Sequence, residues 1–414
     1  MSLRFVLFLA GAGVLLPMVA MSDDLTRDAA VGRALASNPT LQAARAAIGA
    51  AEQQAKLEGM RPPLTVGAEL ENFAGTGSLS GLDSAETTVR LGRTFELGGK
   101  REARLAVGGA RVAQQKHDAA LARLDLEAAT KRRFNAVLAK QARVDMTTRQ
   151  LALVREIREA VAYRVRRGAS PDADLPLADL GVVRAEIDLE GAEHELSSAR
   201  VALSVLWGAE TTAFTRATGS IADIPELPSF DALRQRVPQG ADQRRFELEA
   251  QLLEAQLKSA ETTAKADVAG TLGVRRLEAF DDEALVLSFS MPIGLSDRSE
   301  LARSRVRAEQ SGLNERRKAA ELERYSSLFS SYEELKHAQH EYEALKERMV
   351  PAAERALALA QRGYDDARYS FLQVAQARGV LHSLQNERIA AATRYHDLLT
   401  DIERTTATFG VSAP

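Results

Sequence analysis

Cysteine is missing from all 414 residues. Its absence excludes disulfides, thiolate metal sites, a thiol nucleophile and a lipidated N-terminal cysteine. Aromatic side chains are scarce at 5%, although the apolar fraction is an ordinary 45% and alanine carries much of it. Bulky rings dominate the energetics of compact cores, so this balance suits thin helical layers better than an enzyme core. Charge of one sign is lacking too: a formal −3 gives no electrostatic ground for a nucleic-acid partner. No stretch after Leu16 has the length of a transmembrane helix. No nucleophile elbow and no phosphate-cradling glycine loop occurs, so neither catalytic residues nor a cofactor is expected.

Glycine and proline are absent from the 58 residues Ala110 to Arg167. Rich in Ala, Leu, Arg, Glu and Gln, this run reads as one unbroken helix of roughly 85 Å. It stops at Arg167-Gly168-Ala169-Ser170-Pro171, a helix terminator and a turn. A second helix returns with Leu175, Val182, Leu189, Leu196 and Leu203 seven apart, each followed three residues later by Ala178, Ala185, Ala192, Ala199 or Leu206. That is a heptad with large residues at a and mostly alanine at d, which lets a neighbouring backbone come close.

The N-terminus carries Arg4, an apolar run from Phe5 to Leu16, Pro17, and small residues Ala20 and Ser22 before Asp23-Asp24. This predicts a secretory signal over 1–22 and an exported mature chain. Residues 23–60 read as a helix interrupted and restarted at Asn38-Pro39. After Arg61-Pro62-Pro63 the period changes to two. Leu64, Val66, Ala68 and Leu70 alternate with Thr65, Gly67, Glu69 and Glu71. A Gly/Ser-rich loop leads to a second strand, with Val89, Leu91 and Phe95 on one face and Thr88, Arg90 and Thr94 on the other.

The second half repeats the order. Strands with Val268, Gly270, Leu272 and Val274, then Leu285, Leu287, Phe289 and Met291, precede a long helix bearing Leu328, Leu335, Tyr342 and Met349 in heptad. Pro351 predicts a kink or break there. Arg362-Gly363-Tyr364 reads as the turn into a last helix with Leu384, Ala391, Leu398, Tyr395 and Ile402. Gly98 and Gly294 are 196 apart, and Gly168 and Gly363 are 195 apart, which argues for duplication. The expected division is a signal at 1–22, then repeat 1 at 23–207 with strands at 64–73 and 86–96 and a hairpin at 99–207. An irregular connection at 208–240 follows, then repeat 2 at 241–410 with strands at 267–277 and 284–292 and a hairpin at 296–409.

Four amphipathic strands of membrane-spanning length cannot close a barrel, for which about eight is the usual minimum. In a bilayer the open edges would leave backbone groups unpaired. The physical solution is oligomerisation: three chains pool twelve strands, and the helical hairpins continue the barrel as a tube. The soluble alternative is a four-stranded sheet packed on helices in an α+β domain.

Residue wording now adds a resemblance. Asn38-Pro39, Glu69-Leu70-Glu71-Asn72, Phe95-Glu96-Leu97-Gly98-Gly99-Lys100-Arg101 and Met291-Pro292-Ile293-Gly294 with Asp297-Arg298 resemble segments of the TolC-type outer-membrane efflux family. The Gly-Gly-Lys-Arg segment is similar to its cobalt–zinc–cadmium branch, whereas Met-Pro-Ile-Gly departs from the commoner proline–leucine–phenylalanine wording. The resemblance implies a mainly helical TolC-like protomer with a small β part, and a homotrimer in outer-membrane lipid with its helical tube in the periplasm. It implies a periplasmic adaptor and an inner-membrane proton-driven pump of the resistance–nodulation–division class as partners, and passive export, expected to be of divalent heavy-metal cations. The alternatives are the same duct serving drugs or a secreted protein, and a periplasmic adaptor or soluble coiled-coil scaffold. An adaptor, however, has one hairpin in a split β domain, and this chain has two.

The resemblance also implies a gate at the two inter-helix turns. Asp172 and Asp174 follow Gly168; Tyr364, Asp365 and Asp366 follow Gly363. Asp174 matches an acidic gate position and Tyr364 a gate tyrosine, while Gln373 and Gln376 fall where some members carry an acidic pair. The same aspartates also suit helix caps and turns. His337 and His340, near Glu333, Glu334 and Glu341, read as a solvated helix face rather than a metal site, and no metal ligands are expected. Adaptor hairpins are expected near the two turns.

Overall fold

A computed structural model describes residues 24–212 and 214–408. The signal expected over 1–22 lies outside the described residues. Alternating side chains from residue 64 onward fold as read from their period. Strands β2 (Leu64–Glu71) and β3 (Glu86–Phe95) pair antiparallel, as do β5 (Val268–Leu277) and β6 (Asp282–Ser290). The two pairs join through β3 and β5, so the sheet order is β2-β3-β5-β6. Short strands β1 (Asp24–Leu25) and β4 (Arg216–Ala217), too short to carry an alternating pattern, form a separate parallel bridge.

The register gives the four-stranded sheet two unlike faces. One carries the rows Val66–Leu91–Leu272–Leu287 and Ala68–Val89–Val274–Leu285. These large side chains are uncovered: Val66 is 78% exposed and Leu285 80%. The other face carries Thr65, Thr271 and Ser288, then Arg90, Thr88 and Arg275. Both edge strands, β2 and β6, have one unpaired side.

Helices supply the rest. α1 (Arg27–Ser37) and α2 (Pro39–Glu58) meet at Asn38, whose side chain accepts from the N–H of Thr40 at 2.8 Å and of Leu41 at 3.2 Å. It also donates to the Leu206 carbonyl at 2.8 Å, tying this joint to the end of the first hairpin. α3 (Lys100–Arg166) has 67 residues, about 100 Å by helical rise. α4 (Asp174–Ser204) returns along it, burying Ala178, Ala185 and Ala192 together with Leu196 and Leu203, as alanines at d allow by close approach. Arg155–Glu186 at 2.7 Å and Arg158–Asp179 at 2.8 Å span the two helices; such exposed pairs are screened by solvent and mainly fix register. Gly108 lets α2 approach α3, since a Cβ there would lie 2.8 Å from the Ala55 methyl.

The stretch 208–240 contains α5 (Phe230–Arg236), capped by Ser229, and so is not wholly irregular. α6 (Arg244–Thr262) leads into β5, and α7 (Ser296–Ala344) follows β6. Gly98 and Gly294 take φ of 81° and 77° at matching points before the long helices. A core in the middle of the molecule joins Phe134, Val137, Leu203, Phe214 and Ile221 to Tyr342 and Ala391.

Near Pro351 the sequence predicts a kink or break, and the α-helix is interrupted there by a π-turn over Leu345–Met349 before α8 (Val350–Asp365). Proline lacks an N–H and clashes with the carbonyl four residues back, and a π-turn relieves both conflicts. It also adds one residue to the heptad. Leu328, Leu335 and Tyr342 are buried, but Met349 is 44% exposed and Val350 takes its place, followed by Leu357 and Tyr364. α9 (Phe371–Thr405) closes the second hairpin. No helix among the described residues is long and apolar enough to cross a membrane.

Candidate functional site

α3 and the α7–α8 run start beside the sheet and end at two turns on the far side of the molecule, where the two hairpin tips meet. In the first, Gly168 has φ 68°, and the Ala169 N–H bonds the Arg164 carbonyl at 2.9 Å, closing the helix end. In the second, helix α8 runs through Gly363 and ends only at Asp365, so the turn is 366–370 and Ala367 holds the left-handed φ of 59°. Gly363 is therefore not the turn residue it was expected to be. Its role is a close contact: a Cβ there would lie 2.2 Å from the Tyr369 ring.

Arg164 joins the two turns. Its Nη1 donates to the Asp365 carbonyl at 2.6 Å, its Nη2 to the Ala169 carbonyl at 3.1 Å, and its Nε to Ser170 Oγ at 3.3 Å. The guanidinium also lies 4.7 Å from the centre of the Tyr364 ring, a cation–π contact. Tyr364 itself is buried, with Phe371 tilted against it at 6.2 Å, and its hydroxyl shares a 2.8 Å hydrogen bond with Ser170 Oγ.

The other candidates divide by what their atoms do. Asp172 is exposed beside the first turn. Asp174 sits half-buried in the first turn of α4 and caps nothing, because the cap position is Ala173 and makes no side-chain bond. Burial pushes the Asp174 carboxyl up from its usual value, and Arg164 opposes that shift. Asp365 contributes its carbonyl rather than its exposed carboxylate. The Asp366 carboxylate accepts from Arg368. Gln373 completes a capping box with Ser370, accepting from its N–H at 2.9 Å, and Gln376 is exposed.

Arg164 and Ser170 were absent from the sequence candidates. A signal existed: Val154 and Val161 are buried, and Arg164 follows Val161 by three residues on the same helix face. His337 and His340 are exposed on α7. No group of three or more His, Cys, Asp or Glu among the described residues could hold a metal ion.

A pair of helical hairpins on one end of a four-stranded sheet is the architecture of known bacterial membrane channels. The fold superposes on a membrane protein from Pseudomonas aeruginosa with a TM-score of 0.76, 17% identity, and coverage of 92% of this chain and 90% of that one. It superposes on the outer membrane protein VceC of Vibrio cholerae with a TM-score of 0.72, 17% identity, and coverage of 93% and 97%. The fold is thus TolC-like, mainly helical with a small β part. Residues 30–209 match the family model described as outer membrane efflux protein. Over 384 residues the chain is 24% identical to the cobalt-zinc-cadmium resistance protein CzcC of Cupriavidus metallidurans, spanning 92% of this chain and 89% of that protein. The chain thus resembles the outer membrane efflux protein family over residues 30–209 and CzcC along most of its length.

Proposed function

We propose that three copies of this chain form the outer-membrane exit duct of a tripartite efflux system driven by an inner-membrane proton-coupled pump. The observation that carries this reading is the sheet: one exposed apolar face, one polar face and two unpaired edges. Hydrocarbon forbids unpaired backbone edges, and pairing β6 of one copy with β2 of the next removes them. Twelve strands then enclose a pore with the polar face inward. The helices have the same incompleteness. α4 leaves Leu180 (66% exposed) and Ile187 (57%) uncovered along its outer side, as a protomer edge awaiting a neighbour would.

The tips form the periplasmic mouth. Asp172, Asp174, Tyr364, Asp365, Asp366, Gln373 and Gln376 stand at that level, and the Arg164–Ser170–Tyr364 cluster latches the two hairpins in the closed arrangement. Adaptor hairpins dock near these turns, and drawing them apart breaks the latch. The cargo is divalent heavy-metal cations, a reading supported by the likeness to CzcC along most of the chain. The duct binds them weakly, because conduction needs exit as well as entry.

Deleting the gene should lower zinc, cobalt or cadmium tolerance, measured as growth against metal concentration. Unchanged metal tolerance with lowered drug tolerance would replace the cargo and keep the duct. Release of the protein by osmotic shock without detergent would overturn the membrane reading altogether.

A further inference from the structure

The polar face of the sheet is not uniformly polar. Near the loop end, Glu71, Glu86 and Asp282 lie in one paired row, and Glu69, Thr88 and Arg275 in the next. Arg275 reaches across strands. From β5 its Nη1 donates to Glu86 at 2.6 Å, its Nη2 to Glu71 at 3.0 Å, and its Nε to Thr88 Oγ1 at 3.0 Å. Arg90 pairs with Glu69 at 2.6 Å one row below. Four carboxylates (Glu69, Glu71, Glu86, Asp282) thus face two guanidinium groups (Arg90, Arg275), a surplus of two negative charges per chain on this face.

We infer that Arg275 and the carboxylates it clamps make the exit pore cation-selective, with Arg275 setting how much of the acidic field is expressed. The inference rests on the duct reading above, which turns this face toward the lumen. Three copies close the clamped rows into a charged girdle just inside the loop rim. Charges spaced within about 10 Å are only partly screened at 0.1 M salt. Rings of carboxylates raise local cation concentration and exclude anions. The fork geometry matters as well as the charge. A guanidinium holds two carboxylates from β2 and β3 in fixed positions, where a lysine would hold one. Glu71 keeps an outer oxygen open, and its side chain remains 43% accessible while clamped.

The test uses the purified full chain in planar lipid bilayers under a tenfold KCl gradient. Wild type should show a reversal potential on the cation-selective side. The Glu71→Gln/Glu86→Gln double variant should lower the cation-to-anion permeability ratio about two-fold or more, and Arg275→Gln should raise it by a comparable factor. Glu69→Gln/Arg90→Gln removes a balanced pair and should leave the ratio where it was. Conductance with a wild-type reversal potential at zero or on the anion side overturns the inference, even if no variant inserts. So does an unchanged ratio in the double variant. Absence of conductance in every bilayer, those with the unlatched Arg164→Ala variant included, overturns the duct reading and the inference with it.

Discussion

At Tyr364 a buried phenol hydroxyl meets Ser170 from the other hairpin, and Arg164 covers the ring. A net hydrogen bond of this kind contributes about 1 kcal/mol, and a desolvated cation–π contact about 2. Tyr364→Phe should therefore weaken the latch by about five-fold, and Arg164→Ala by more, because three donors and the ring contact go together. In single-channel recordings both should show a higher resting conductance than wild type. Equal resting conductance in Arg164→Ala would remove Arg164 from the latch.

Asp397 tests a different residue-scale force. It lies on α9 against α3, where burial pushes its carboxyl above the usual range, although Asn135 donates to it at 3.3 Å and Arg132 stands near. A folded pKa raised above the unfolded one means that the folded state holds its proton longer. Stability from this group is then full below the unfolded value and is lost as pH rises through the folded one. Asp397→Asn should consequently raise the melting temperature at pH 7 and leave it near wild type in acid, where both side chains are neutral. A variant that melts lower at pH 7 would mean that the Asn135 and Arg132 contacts outweigh burial.

Among the elements, the π-turn over Leu345–Met349 does most to decide what the second tip can do. Its extra residue moves the buried seam from the Tyr342 register to Val350, Leu357 and Tyr364. Without it, the seven-residue series from Tyr342 would run through Met349 to Gly363, and Tyr364 would be turned about 100° away. Deleting exposed Glu347 should restore a regular helix and leave Val350, Leu357 and Tyr364 on the buried seam, now spaced by sevens from Tyr342, so the tip should stay latched. Circular dichroism would show the helix retained, and the resting conductance should equal that of wild type. A conductance raised to the level of Arg164→Ala would mean that the π-turn does more than carry the extra residue. The two strict heptads were legible in the sequence because alanine and leucine recur at fixed spacing. The register slip was not, because proline announces a conflict without stating how the backbone resolves it.

For the whole molecule, the sheet predicts an asymmetric response to charge. Leu287 and Ser288 are adjacent on β6 but lie on opposite faces. Leu287→Lys should cost about 2–4 kcal/mol in a bilayer and reduce the folded, detergent-resistant oligomer. Ser288→Lys should leave assembly intact and shift conductance instead. Equal loss from both, read by gel migration of unheated samples, would mean that neither face meets lipid. The same pooling of edges predicts a particle of three chain masses by light scattering in detergent. A single-chain mass would end the duct reading.

The sequence by itself determined the elements of this protein: long helices where glycine and proline are missing, period-two strands, and left-handed glycines before each long helix. These follow from forces that act over a few residues. Tertiary structure alone decided which side chains meet. Ser170 and Tyr364 are 194 residues apart, and Arg275 finds Glu71 across 204. Their pairing depends on the packing of whole helices and the register of whole strands, and no local propensity carries that information.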